Sequence, residues 1–171
     1  HIRKLLDLIF WKVDFEEYHD NQSYFIGQFF KKFNYAIKSE RIARLVFNYF
    51  TEIIKRESKE NYVLFMEIHD LDNIYKNLQD YWKLVLDEIK FAFEKVSKNR
   101  QYELLDMLVR ESDEACWKLA LYLARKNDHN IVELIEGNTK ILSSQTCYHE
   151  YYLLLKHHME RLYISGPAQA D

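Results

Sequence analysis

The stretch Asp113-Glu114-Ala115-Cys116-Trp117-Lys118-Leu119-Ala120-Leu121-Tyr122-Leu123-Ala124-Arg125-Lys126 decides the fold. Acidic residues open it and cations close it, the order that a helix macrodipole favours. Between these ends the side chains are apolar on nearly every side, interrupted only by Lys118. A helix without a wet face must be surrounded by neighbours, so the rest of the chain has to supply them.

It supplies helices. Ile2, Leu5, Leu6, Ile9, Phe10 and Val13 keep helical spacing over about residues 2–19, and Phe25, Phe29, Phe33 and Ile37 do so over 24–37. Ser39 precedes Glu40 as a cap, and Ile42, Ala43, Val46, Phe47, Phe50, Ile53 and Ile54 form a wide stripe to about residue 57. Leu78, Trp82, Val85, Ile89, Ala92 and Val96 mark another helix over 78–97. Ser97-Lys98-Asn99-Arg100 reads as a break before a short helix over 101–110. Ile131–Glu136 is a short helix that Gly137 is placed to end in a left-handed cap. A last helix starts near residue 140 or 145 and runs to 164. Between residues 60 and 77, Asp70-Leu71-Asp72-Asn73 makes the helical pattern irregular.

Three Gly and one Pro among 171 residues are too few for the turns of a β fold. The expectation is an all-α chain, an irregular multi-helix bundle or helical-hairpin array of about eight or nine helices with no β-sheet. Helices near 101–110 and 131–136, each followed by a longer one, give a weak period of roughly 30 residues, the mark of a solenoid. One domain over residues 1–164 with a flexible tail at 165–171 fits the length. A chain opening at His1 reads as part of a larger polypeptide.

A formal net charge of −3 lacks the overall field of a dedicated nucleic-acid binder, yet residues 1–57 hold 10 basic against 8 acidic side chains. Within them Lys31, Lys32, Lys38, Arg41 and Arg44 approach one edge of a helical hairpin, with Tyr35 or Phe30 available to stack a base. The competing reading is that the phenylalanines are core and the lysines extend from it. Glu150, His157 and Glu160 fall near one face of the last helix, the spacing by which a carboxylate and an imidazole converge on a metal. Solvated or capping side chains near a helix end explain the same pattern. Glu67, His69, Asp70 and Asp72 form a second acidic cluster without the Gly turn or closing Glu of a calcium loop, and Glu16 with His19 is an isolated Glu-x-x-His.

No Walker loop, no Gly-x-Ser-x-Gly elbow and no Cys-x-x-Cys pair is present. Cys116, in the most hydrophobic stretch, suits an inert thiol, and two cysteines without a pairing motif suit a reducing, cytoplasmic or similar compartment. No cofactor is implied. The chain holds no run of about 18 apolar residues to span a membrane, though Phe10 and Trp11 beside Arg3, Lys4 and Lys12 allow a membrane-proximal role. With 13 Tyr, 11 Phe and 3 Trp, the expected work is recognition: a helical protein-interaction or scaffold module, binding a partner or itself, rather than an enzyme. The alternatives are a nucleic-acid-binding module using the basic hairpin and a metal-binding or enzymatic bundle using the His/Glu cluster.

Overall fold

The computed structural model describes residues 2–10, 27–34, 37–60, 71–72 and 80–164. Among the described residues the chain is helical and contains no strand, so the protein is all-α. The helices are α1 (Ile2–Phe10), α2 (Glu40–Glu60), α3 (Asp80–Glu94), α4 (Lys98–Arg110), α5 (Glu114–Lys126), α6 (Val132–Glu136), α7 (Thr139–Ser143) and α8 (Tyr148–Ile164), and residues 27–34 between α1 and α2 are also helical. The expected course of residues 11–26 and 61–70, the Glu16/His19 pair, Tyr35, Glu67, His69, Asp70 and the tail 165–171 lie outside the described residues.

The chain divides into two compact units, one of residues 1–54 and 77–101, the other of 55–76 and 102–171. In the first, α2 presents Ala43, Val46, Phe47, Phe50, Ile53 and Ile54 inward, the stripe expected from the sequence. Phe30 meets Phe50 edge-on at 5.6 Å, and Phe47 meets Phe93 of α3 at 5.9 Å. Burying such a ring contributes about 2–3 kcal/mol. Ser39 caps α2 through its hydroxyl, which accepts the Ile42 amide at 3.3 Å. The buried Gln101 donates its side-chain amide to the carbonyls of Phe93 and Val96, satisfying acceptors at the end of α3.

The break before α4 is shorter than its sequence suggests. Lys98, Asn99 and Arg100 form the first turn of the helix rather than a link, because the Gln101 amide already reaches the Ser97 carbonyl at 2.8 Å.

In the second unit α5 has the burial its sequence demands. Every residue from Ala115 to Ala124, Lys118 included, is buried. Asp113 caps its start, accepting the Ala115 amide at 2.9 Å. Its end corrects one expectation: Gly137, after α6, is right-handed at φ −69°, and the left-handed position is Asp128 at φ 59°. The physical reason is that α5 closes in a tight reverse turn, in which the His129 amide reaches the Ala124 carbonyl at 2.9 Å. After Gly137 the chain instead continues within two residues into α7, with the Asn138 side chain donating to the Val109 carbonyl. The second helical pair therefore differs from the first, with two five-residue helices where a repeat would place a short and a long one.

Candidate functional site

Helix α8 lies along α5 and has two faces of opposite character. Its inner face carries Glu150 and Leu154, both fully buried, just after the buried Cys147. A carboxylate buried this deeply needs partners, and α5 provides them. The Glu150 carboxylate accepts the backbone amide of Leu71 and stands 3.1 Å from Nη2 of Arg125. The same nitrogen is 2.9 Å from Asp72, which also takes Lys126 at 3.0 Å. Burial opposes ionisation of Asp72, but the hydrogen bonds and charges of Lys126 and Arg125 outweigh it and hold its carboxyl below the usual range. Burial likewise opposes the Arg125 charge, and the Glu150 and Asp72 carboxylates more than restore it.

The polar seam continues toward both ends of α5. At one, the Thr146 hydroxyl donates to the Glu114 carboxylate at 2.8 Å, and the Cys147 thiol, pushed up to about 11 by burial, lies 3.7 Å from the Glu114 carbonyl. At the other, Asp128 Oδ1 receives both His157 Nε2 and Arg161 Nη1 at 2.6 Å. The His157 hydrogen bond, with the Arg161 charge, holds the Asp128 carboxyl below its ordinary value. His158 donates from Nε2 to the His129 carbonyl at 3.2 Å, since a carbonyl only accepts.

These partnerships separate the residues suggested as metal ligands. Glu150 points inward to Arg125, His157 turns to Asp128, and Glu160 stays exposed beside Lys156 at 3.8 Å. Among the described residues no three His, Cys, Asp or Glu side chains converge to hold a metal ion. Of the second acidic cluster, Asp72 is described and is engaged with Arg125 and Lys126.

The outer face of α8 is where the sequence reading missed the most informative feature. Tyr148, Tyr152 and Met159 are 62%, 54% and 57% exposed, and Leu155 between them is partly exposed. Their spacing of four, three and four residues is that of the d and a positions of a coiled-coil seam. In the sequence the next step of three reaches Leu162. Singly exposed apolar side chains are ordinary, but four on one line of a helix are a contiguous strip. The 4-3-4 signal was present in the sequence, hidden because this helix carries apolar residues around its whole circumference.

The basic hairpin residues are placed in the first unit. Lys31, Lys32, Lys38, Arg41 and Arg44 are all exposed. Phe30 is buried against Phe50, so it offers no face to a base, while Phe29 and Phe33 are half-buried and stack on each other at 5.5 Å. No helix among the described residues is long and apolar enough to cross a membrane.

The chain matches no protein-family model, no curated protein and no solved structure.

Proposed function

We propose that the protein is a helical interaction module that binds an amphipathic helix of a partner protein along the outer face of α8. The observation that carries this reading is the line of exposed Tyr148, Tyr152 and Met159 with the half-buried Leu155 at coiled-coil spacing. An isolated strip of this kind gains by burial, and tyrosine and methionine suit an interface. Tyrosine buries a large ring while keeping a polar tip in water. Methionine adapts its flexible chain to the facing surface. The inner face fixes the strip in place: Glu150 held by Arg125 and the Leu71 amide sets the rotation of α8 about its axis, which turns positions 148, 152, 155 and 159 outward.

The test is a scan with a photo-crosslinking amino acid introduced in turn at positions 148, 152, 155 and 159, and at the exposed control positions Glu136 and Lys140. The expected outcome is a common protein adduct at the four seam positions and none at the controls. Adducts without that 4-3-4 pattern, or none at all, would overturn the assignment.

A further inference from the structure

We infer that the first unit carries a second, independent binding surface, for single-stranded nucleic acid, on the face formed by Lys31, Lys32, Lys38, Arg41 and Arg44. All five side chains are exposed, and among the described residues none of them forms an ion pair. Lys55, Lys90, Arg110, Arg125 and Lys126, by contrast, each have a carboxylate partner. Charge is unevenly shared between the units. The first holds 13 Lys and Arg against 11 Asp and Glu, the second 11 against 16, so the chain's overall negative charge belongs to the second.

The cations follow one another closely along the chain. The Ile37 amide bonds the Phe33 carbonyl at 3.1 Å, and Ser39 caps α2 two residues later, so the link holding Lys38 is short. Arg41 and Arg44 follow within the first two turns of α2, three residues apart and therefore on one face, about 4.5 Å of helix rise from each other. The positive end of the α2 dipole lies at the same place. Exposed cations without an ion pair among the described residues suit a polymer of phosphodiesters, whose condensed counterions are released on binding.

The half-open pair Phe29 and Phe33, stacked on the helical stretch that also carries Lys31 and Lys32, selects among polyanions. An aromatic surface next to a cationic track is how unpaired bases are held without sequence preference. A membrane surface is the poorer match, because Leu45 is the one strongly exposed large apolar side chain among the described residues of α2.

The probe is a fluorescein-labelled 20-nucleotide oligothymidine, titrated with the full chain by anisotropy at 50 and 200 mM NaCl. The expected result is binding that weakens at least tenfold over that salt range. The combined variant Lys31→Gln, Lys32→Gln, Lys38→Gln, Arg41→Gln and Arg44→Gln, shown folded by circular dichroism, is expected to lose at least tenfold in affinity at 50 mM NaCl. The control Arg110→Gln with Lys140→Gln, on the second unit, is expected to bind like the parent. Phe33→Leu is expected to weaken the oligothymidine several-fold while leaving a 20-base-pair duplex unaffected. The inference is overturned by no binding at 50 mM NaCl or by equal loss in the control. Polyglutamate, or vesicles containing phosphatidylserine, binding as well as the oligonucleotide would overturn it equally.

Discussion

The Arg125 guanidinium stands 3.1 Å from the carboxylate of Glu150, a side chain with no exposed surface, and this pair joins the central helix to the helix that carries the candidate interface. Removing one member leaves the other charge buried without its partner, which costs about 3–5 kcal/mol. Arg125 keeps Asp72, so Glu150→Ala is expected near the lower end, roughly 3 kcal/mol by urea denaturation. The double variant Glu150→Ala with Arg125→Ala is expected to lose less than the sum of the single losses, because the second change removes a charge that the first has stranded. Strict additivity would show that the pair does not couple the two helices.

Glu88 gives the first unit a pH dependence of defined sign. Burial pushes its carboxyl up to about 7, although Asn34 donates to it at 2.8 Å, and Asp87 adds to the rise. One of its oxygens and the Asn34 amide oxygen are buried without a hydrogen-bond partner among the described residues. The folded form therefore holds its proton above the ordinary value of 4.5, and the stability contribution present below that value is lost as pH rises through about 7. Glu88→Gln, neutral at every pH, is expected to raise stability at pH 8 by up to about 3 kcal/mol and by under about 1 kcal/mol at pH 5. An equal effect at both pH values in urea melts would contradict this account of Glu88.

Asp128 holds a left-handed backbone conformation at φ 59° while receiving His157 and Arg161. Only Gly and, to a lesser degree, Asn and Asp adopt it without a steric penalty of about 1–2 kcal/mol. In thermal melts Asp128→Asn and Asp128→Gly are expected to stay close to the parent and Asp128→Ala to be clearly lower. Alanine matching glycine would show that the turn relaxes.

Cys116 and Cys147 are both thiols and both fully buried. With its thiol pushed up to about 11, Cys147 holds almost no thiolate at neutral pH. Labelling by a thiol-reactive dye is expected to be slow in native buffer and complete within the dead time in denaturant. Rapid native labelling at either position would mean that this part of the second unit opens readily.

How much of this was legible in the sequence depends on whether a helix announces its phase. Helix α5 did, because it has no phase: Ala115 to Ala124 are apolar but for Lys118, and all are buried. Helix α2 did, because its charges lie opposite its Phe and Ile stripe. Helix α8 did not. It turns Glu150 inward and two tyrosines outward, the reverse of what polarity suggests, and the reason is Arg125, twenty-five residues earlier. Of the residues that suggested a metal, Glu150 and His157 are drawn to different partners on α5 and the turn after it, and Glu160 stays exposed beside Lys156. Phe30 and Phe29 are neighbours of identical type, yet Phe30 is buried against Phe50 and Phe29 is half-open.

The central claim, that the outer face of α8 binds a partner helix, is tested most directly by measuring affinity and stability together. With the partner captured through position 152, isothermal titration is expected to show Tyr152→Glu weakening binding by roughly 30-fold or more, the loss of about 2 kcal/mol typical of a buried anchor. Met159→Glu is expected to do the same. Both side chains are more than half exposed, so the melting temperature of the free protein should move little. Undiminished binding by both variants would contradict the claim, as would a fall in melting temperature large enough to account for the lost affinity.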